Sequence, residues 1–309
     1  MSMQNYVRWN TFQEALQGIR SLKATGKSVG SVHSLGDLHI GHAKLIAQAA
    51  AENDYVVVTI YPNKEQLSKT HKYVYDPDRD CEFSASFGAT HFVTLDESEI
   101  YPSDYCTFLS QGELYSRLDG IVMPTIFKGM ITMSIRWIIF TRPDRTYFGL
   151  KDISQYLLVS QAVKDLMIDT EVVAVPCVRY RSGIAISSRL MRLPLEKLQE
   201  FQRVYQTLEE GRKIISSGVT DAETIIARMN DFLNPDSFSF FKLKYIKLAD
   251  PRDLTEPKVI SVPVIMHIVL SDTEKNYFEG FLIRSQQELT EGPETIWLED
   301  EYPLTEIQK

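Results

Sequence analysis

Short apolar strands alternate with helices through the first half of the chain, and this rhythm restricts the fold more than any other feature. Residues 11–23 carry apolar side chains at helical spacing, and Gly26 ends that pattern before a short buried strand over residues 29–33. A second helix runs to Ala51, and residues 56–60 (Val-Val-Val-Thr-Ile) form a continuous β-branched run typical of parallel sheets. After the first helix, residues 29–60 are therefore predicted to form a unit of strand, turn, helix and strand.

The same alternation continues further along the chain. It predicts strands over residues 91–95, 146–148 and 171–176, and helices over residues 130–140 and 153–167. Alternation of this kind is typical of a doubly wound parallel sheet with helices on both faces, and such sheets bind ligands at the carboxyl ends of their strands. We therefore predict an α/β, Rossmann-like fold.

The pattern changes after about residue 185. Two long polar helices are followed by two strand-like runs, over residues 195–217, 221–232, 238–249 and 259–270. A chain of 309 residues also exceeds what one hydrophobic core usually organises. We predict a Rossmann-like domain over residues 1–185 and a smaller C-terminal α+β domain over residues 186–309.

Charge and cysteine content exclude several classes of protein. The formal net charge of -8 argues against a general binder of nucleic acid or membrane surfaces, because such binding needs clustered Lys and Arg. The cysteines at positions 81, 106 and 177 fit neither a zinc spacing nor a disulfide framework. No stretch approaches 18 uninterrupted apolar residues, and the first residues lack the apolar core of a signal peptide. We expect a cytoplasmic protein.

The turn after the first strand is the most informative stretch of sequence. Residues 34–42 read Ser-Leu-Gly-Asp-Leu-His-Ile-Gly-His, and the next helix begins within them. A helix N-terminus exposes unpaired N–H groups and favours phosphate, and Gly41 permits close approach of the backbone. His39 and His42 lie three residues apart, so that both rings face one side of the first helical turn, where they are suited to bond phosphate oxygens.

The H-x-G-H pattern in this turn indicates adenylate-forming and nucleotidyl-transferring enzymes without choosing a reaction. One alternative is that the two histidines only cap the helix or lie on the surface. A second alternative is a metal site, but no third ligand follows at a familiar spacing, so we expect no protein-bound metal.

Residues 147–155 read Tyr-Phe-Gly-Leu-Lys-Asp-Ile-Ser-Gln, and residues 183–189 read Gly-Ile-Ala-Ile-Ser-Ser-Arg. The first segment resembles the motif Y-F-G-E-K-D-x-Q-Q of the pantothenate synthetase family, and the second is similar to that family's G-L-A-x-S-S-R. Residues 63–66 resemble its N-P-x-Q, and residues 99–102 its E-M-Y-P. The resemblance covers roughly residues 28–192.

This resemblance implies an ATP-dependent acid–amine ligase that condenses pantoate with β-alanine to pantothenate. In the implied reaction the acid attacks the α-phosphate of ATP, pyrophosphate leaves, and the amine then displaces AMP from a pantoyl-adenylate. The resemblance also implies ATP as co-substrate, Mg²⁺, small-molecule substrates and a homodimer. It further implies that the domain over residues 1–185 binds ATP and the acid, and that the domain over residues 186–309 acts as a lid. No side chain has to act as a covalent nucleophile, so positioning is the main task of the protein.

Site residues follow from the same resemblance and agree with their chemistry. Lys151 is a compact point charge, Arg189 offers a planar fork, and the serines supply hydroxyl and backbone donors. The expected catalytic residues are His39, His42, Lys151, Ser187, Ser188 and Arg189. The expected nucleotide-binding residues are Leu35, Gly41, Gly149 and Asp152. The expected substrate-binding residues are Asn63, Gln66, Tyr73 and Gln155.

Alternatives remain for four of these residues. Asp152 either helps to hold magnesium or caps the helix that begins at Ile153. Gln66 and Gln155 either hold the hydroxyl and carboxylate of pantoate, as the resemblance implies, or are surface amides. Tyr73 lies either at the rim of the site or in ordinary packing.

The chain departs from the family at positions expected near the substrates. Residues 33–35 (His-Ser-Leu) replace the family's P-T-M, Met123 and Ile126 replace the Arg and His of R-P-G-H-F, and Leu190 replaces an Asn. A buried carboxylate that loses its partner costs several kcal/mol, so these changes bear on the acid and the amine. Three readings follow: a divergent pantothenate synthetase, a paralogue that uses another hydroxy acid or amine, or a degenerate nucleotide-binding protein.

Overall fold

The structure is a computed structural model that describes residues 6–63 and 75–299, with the backbone alone described at residues 124 and 125. The described residues pack as two compact units. The first unit comprises Met1–Tyr115, Met123–Gly149 and Gln155–Val175, and the second comprises Ser116–Val122, Leu150–Ser154 and Pro176–Lys309. The domain boundary between residues 185 and 186 stays a prediction; residues 176–185 and two earlier short segments pack with the second unit.

The helices and strands follow one another in this order. The strands are β1 (Val7–Trp9), β2 (Val29–Ser34), β3 (Tyr55–Ile60), β4 (His91–Val93), β5 (Arg145–Gly149), β6 (Glu171–Val175), β7 (Cys177–Arg179), β8 (Lys242–Ala249), β9 (Val264–Ser271), β10 (Asn276–Ile283) and β11 (Thr295–Trp297). The α-helices are α1 (Phe12–Ala24), α2 (Ile40–Glu52), α3 (Pro77–Ala85), α4 (Glu97–Ile100), α5 (Asp119–Val122), α6 (Pro124–Thr141), α7 (Ile153–Asp165), α8 (Leu195–Ser216), α9 (Ala222–Leu233) and α10 (Gln286–Glu291).

The first unit contains a six-stranded sheet in the order β1-β4-β3-β2-β5-β6, and all its neighbouring strands are parallel. The chain order reverses between β2 and β5. Parallel strands at such a reversal leave a crevice beyond their carboxyl ends, because the connections on either side lead away in opposite directions. The turn after β2 therefore lies where this fold places ligands.

Helices cover both faces of this sheet. Apolar residues of α1 and α6 form one core cluster with Val29, Val57 and Val93. Gly30, the next residue along β2, points the other way, and a Cβ there would lie 2.7 Å from the side chain of Asn53 at the end of α2. The doubly wound α/β fold predicted from the sequence is therefore confirmed.

The second unit is α+β, as predicted. Its three-stranded antiparallel sheet has the order β10-β9-β8, and all eight residues of β9 are buried. Helices α8 and α9 pack together and against this sheet. Gly211 permits their close approach, because a Cβ there would lie 2.5 Å from Met266 of β9 and 2.6 Å from Met229 of α9. Strands β7 and β11 form a separate parallel pair.

Several elements differ from the prediction. The helix expected over residues 130–140 begins at Pro124, and the strand expected from residue 259 begins at Val264. Strands β1 and β10 and helix α3 were not predicted. In the part of the chain that the structure describes, no helix is both long enough and apolar enough to cross a membrane.

Candidate active site

The turn between β2 and α2 is built by its own histidines. His39 is the N-cap residue of α2, and its Nδ1 accepts the N–H of Gly41 at 3.2 Å. His42 accepts the backbone N–H of His39 at Nδ1, at 3.3 Å, so the two residues form a reciprocal cap. Their ring centroids lie 4.2 Å apart. The predicted side-by-side placement of the two rings is confirmed, and capping is part of their role.

This capping fixes the tautomer of both rings. A neutral imidazole has one nitrogen that accepts and one that donates. Because Nδ1 accepts a backbone N–H in both residues, the proton of each neutral ring lies on Nε2. The Nε2–H groups are donors, and donors are the groups that a phosphate oxygen requires.

The carboxylate of Asp80, in α3, binds the backbone of the same turn. Asp80 is fully buried, and it accepts the N–H groups of Asp37 and Leu38 at 2.8 and 3.1 Å. Asp37 has φ of +52° and follows Gly36 with φ of +99°, so this turn leaves ordinary backbone conformations. Burial raises the pKa of Asp80, and the two N–H bonds oppose that shift. Sequence analysis missed Asp80, because it lies 42 residues beyond Leu38.

Asn63, an expected substrate-binding residue, is fully buried just beyond β3. Its side chain donates to the carbonyl of Gly129 at 3.2 Å and accepts the hydroxyl hydrogen of Tyr101 at 3.0 Å. Asn63 therefore joins the end of β3 to α6 and to the segment after α4. Its contact with substrate stays a prediction. Gln66 and Tyr73 lie outside the described residues.

Three other expected residues of the first unit lie at the ends of its elements. Leu35 follows the last residue of β2, and Gly149 is the last residue of β5, the strand next to β2 in the sheet. Gln155 lies in the first turn of α7 and is half-buried. The carboxyl ends of β2 and β5 thus carry Leu35 and Gly149 toward the same edge of the sheet.

In the second unit, Lys151 and Asp152 form a pair. They lie in a single 3₁₀ turn, and the Lys151 Nζ is 2.9 Å from the Asp152 Oδ1. The lysine side chain is 19 % exposed and the aspartate side chain 59 %, so the carboxylate meets solvent. The alternatives of magnesium binding and helix capping for Asp152 both stay predictions.

The segment with the two serines continues from β7 through a tight turn. Gly183 occupies that turn with φ of +88°, and the Ile186 N–H returns to the carbonyl of Val178. Ser187 is buried, and its hydroxyl accepts the N–H of Arg189 at 3.3 Å. The Arg189 guanidinium lies over the ring of Phe278, 5.7 Å from its centroid. Ser188 is half-buried beside them.

The residues that depart from the family motifs are accommodated by their surroundings. Met123 packs against the apolar cluster formed by α6 and α7, Ile126 is half-buried, and Leu190 is buried. His33 bonds to the hydroxyls of Ser31 and Thr59 at 3.0 and 2.9 Å. Burial lowers the pKa of His33 to about 3, so this histidine is neutral at physiological pH.

The described structure also contains an apolar cavity of about 390 Å³ in the first unit, between α1 and α6. None of the described residues expected in the site lines this cavity. Within each unit, therefore, the structure brings expected residues together: the two histidines in the first unit, and Lys151 with Asp152 and Ser187 with Arg189 in the second.

Comparisons with known proteins place these features in one family. Residues 8–274 match the profile of the family described as Pantoate-beta-alanine ligase. The chain is 35 % identical to a pantothenate synthetase of Rhizobium etli over 228 residues, which are 73 % of this chain and 77 % of the relative. It is 30 % identical to that of Ruminiclostridium cellulolyticum over 260 residues, which are 83 % of this chain and 92 % of the relative.

Solved structures show the same fold. The crystal structure of pantothenate synthetase from Thermus thermophilus superposes with a TM-score of 0.82 at 26 % identity, covering 90 % of this chain and 100 % of that one. A pantoate-beta-alanine ligase from Francisella tularensis, solved with Beta-gamma ATP and Beta-alanine, gives 0.71 at 24 % identity, covering 90 % and 97 %.

Proposed function

Because the chain belongs to the pantoate–β-alanine ligase family, we propose that it makes pantothenate in two steps, through a pantoyl-adenylate. The protein is an ATP-dependent ligase that joins pantoate to β-alanine. In the first step a carboxylate oxygen of pantoate attacks the α-phosphorus of ATP, and the bond to pyrophosphate breaks. In the second step the amine of β-alanine attacks the carbonyl carbon, loses a proton, and displaces AMP.

The two histidines carry the proposal for the first step. Their Nδ1 atoms accept backbone N–H groups, so the Nε2–H groups are the donors that stabilise charge on the α-phosphate oxygens. A donor aimed at charge that develops in the transition state contributes about 3 kcal/mol in a site that excludes water. The positive end of the α2 dipole acts in the same direction.

Roles toward the phosphates are also proposed for two cations of the second unit. Lys151 neutralises an oxygen of the leaving pyrophosphate, and Arg189 binds two phosphate oxygens through its planar fork. Ser187 and Ser188 donate hydroxyl hydrogens to the nucleotide. Two observations support these roles: Lys151 is held on a short 3₁₀ turn, and Arg189 lies on an aromatic ring.

Leu35, Gly41 and Gly149 are proposed to line the nucleotide site through their backbone. Gly41 donates its N–H to His39, so its contribution is close approach of the chain to the nucleotide. Asn63, Gln66, Tyr73 and Gln155 are proposed to contact pantoate. For Gln155 the proposal is supported by its half-buried position in the first turn of α7.

Magnesium is proposed to arrive with ATP. Mg²⁺ usually binds substrate phosphates, water and only one or two carboxylates. Asp152 fits that requirement, because its carboxylate is 59 % exposed and next to Lys151. Among the described residues no group of three or more His, Cys, Asp or Glu side chains forms a protein-only metal cage.

Isotope exchange between ATP and pyrophosphate tests the adenylate. Exchange that requires pantoate and occurs before β-alanine is added supports a pantoyl-adenylate. Formation of pantothenate without such exchange contradicts it. Mass analysis of products from a panel of hydroxy acids and amines then tests whether the changes at Met123 and Ile126 alter substrate choice.

Substitution tests the proposed role of one residue from each unit. His42→Ala and Lys151→Ala are each expected to slow exchange at least about tenfold, which corresponds to about 1.4 kcal/mol in the barrier. Unchanged exchange in either variant removes that residue from catalysis.

The assembly and the compartment are also proposals. A homodimer is proposed because the family resemblance implies one. A cytoplasmic location is proposed because the cysteine spacing does not fit a disulfide framework. Light scattering coupled to gel filtration measures the mass directly, and a monomeric mass contradicts the dimer.

A further inference from the structure

Three consecutive residues of β10 contact three segments of the second unit that carry or hold proposed catalytic groups. Phe278 lies beneath the guanidinium of Arg189, and the Arg189 Cζ is 5.7 Å from the centroid of the Phe278 ring. Glu279 accepts from the Arg179 Nη2 at 2.8 Å. A Cβ on Gly280 would lie 3.3 Å from the Cδ1 of Ile153, two residues beyond Lys151.

The ion pair in the middle of this group is buried. The side chains of Arg179 and Glu279 are 2 % and 1 % exposed. The guanidinium of Arg179 also lies over the rings of Tyr205 and Phe281, at 5.1 and 5.4 Å. A buried ion pair is weak support for stability, because removal of both charges from water costs as much as their attraction returns. The presence of this pair therefore calls for an explanation other than stability.

The pair joins β10 to the chain that leads into residues 183–189, which we call the serine segment. The Arg179 Nη1 donates to the carbonyl of Gly183 at 2.9 Å, and Gly183 begins the segment that ends in Ser187, Ser188 and Arg189. The Glu279 Oε1 also accepts the N–H of Gly280. Gly280 cannot carry a side chain, since a Cβ there would lie 2.8 Å from the carbonyl oxygen of Met266.

We infer that residues 278–280 of β10 position Lys151 and Arg189 for adenylation, and that the Arg179–Glu279 pair fixes β10 to the serine segment. This inference rests on the proposed function and deepens it: β10 supplies positioning residues that need not touch the substrate. A shift of Arg189 relative to Lys151 would affect the transition state more than ATP binding, and so would lower kcat with little change in KM.

A double substitution separates positioning from stability. Arg179→Met with Glu279→Leu removes both buried charges, and such replacements usually preserve the fold. If the pair only stabilises the protein, the double variant exchanges ATP and pyrophosphate at the wild-type rate. If it positions the segment, kcat for pantoate-dependent exchange falls at least about tenfold, while KM for ATP and the melting temperature change little.

A second pair of variants leaves the charges in place. Phe278→Leu removes the aromatic face beneath Arg189, and exchange is expected to fall about fivefold. Phe278→Tyr keeps that face and is expected to restore the rate. As a control, Glu209→Gln breaks the pair of Glu209 and Arg212 on α8, at 2.8 Å, and is expected to leave kcat unchanged.

The assay of the wild-type protein distinguishes failure of the proposed adenylate from failure of the inference about β10. Wild-type protein without pantoate-dependent exchange overturns the proposed adenylate and the inference with it. Active wild type together with a Phe278→Leu variant within twofold of its kcat overturns only the inference, whether or not the double variant folds.

Discussion

At the residue scale, the imidazole of His39 begins a helix through one nitrogen and carries its proton on the other. Its Nδ1 accepts the N–H of Gly41, so the proton of the neutral ring lies on Nε2. Asparagine is an N-cap residue of comparable quality, since its side-chain oxygen accepts the same N–H. Asparagine has no donor at the position of the His39 Nε2–H. Substitution by asparagine therefore distinguishes capping of α2 from donation to phosphate.

We therefore expect His39→Asn to keep the stability of the protein within about 0.5 kcal/mol, because the cap is retained. Exchange of ATP and pyrophosphate should fall at least about tenfold, because the phosphate donor is lost. His39→Ala is the control, and it should lose about 1 kcal/mol of stability as well as the activity. Full activity in His39→Asn would show that His39 serves only as a cap.

His33 gives the protein a specific response to acid. Burial lowers its pKa from 6.5 to about 3 in the folded state, whereas the unfolded chain keeps the ordinary value. Above pH 6.5 the ring is neutral in both states and stability is unaffected. As the pH falls below 6.5, only the unfolded chain binds the proton, so stability declines by up to about 1.4 kcal/mol per pH unit toward pH 3.

Urea unfolding at pH 7.5, 6.5 and 5.5 measures this effect. His33→Gln cannot titrate, so its stability should fall less steeply between pH 6.5 and 5.5 than that of the wild type. The comparison of slopes removes the contribution of other groups, including His91, whose pKa is also lowered by burial. Parallel slopes in the two proteins would contradict the assignment.

At the element scale, the turn after β7 depends on Gly183. Its φ of +88° is unfavourable for other residues, and a Cβ would lie 2.0 Å from the ring of Tyr205. The Arg179 guanidinium lies over that ring at 5.1 Å, and the Trp297 ring contacts it with a centroid distance of 6.2 Å. Such a ring cannot move aside at low cost.

Gly218 offers a matched control for this position, because its φ is +96° and nothing lies within 4 Å of its Cβ position. Gly183→Ala should therefore destabilise the protein by about 2 kcal/mol more than Gly218→Ala, and that difference measures the contact with Tyr205. Urea denaturation gives both values. Equal costs would mean that only the backbone conformation matters at residue 183.

The elements that could be predicted are those whose pattern is local. The β-branched run of β3 and the start of α2 within the turn are visible in neighbouring residues, and both were predicted. Capping by the two histidines was one of the alternatives. Strand β10 was missed because Glu279 and Gly280 interrupt its apolar pattern. The cation that pairs with the buried Glu279 carboxylate, Arg179, lies 100 residues earlier in the chain. Asp80 was missed because it, too, lies far along the chain from the residues that it contacts. Motif residues can be predicted from sequence, but the residues that support them lie too far away in the chain.

At the scale of the whole molecule, the three cysteines report on different parts of the structure. Cys106 is exposed, whereas Cys81 and Cys177 are buried. Burial raises the pKa of Cys81 to about 12 and that of Cys177 to about 11, so almost no thiolate forms at either site at pH 8. Because the thiolate is the reactive form, both buried thiols should be inert in the folded protein.

Titration with a chromogenic disulfide at pH 8 should therefore detect one fast thiol in the native chain and three in denaturant. Cys106→Ser should remove the fast phase. In that background, Cys81 lies in the first compact unit and Cys177 in the second, so their appearance with increasing urea reports the opening of each unit separately. Identical curves would mean that the two units unfold as one cooperative system, and a native buried thiol as fast as Cys106 would contradict the packing around it.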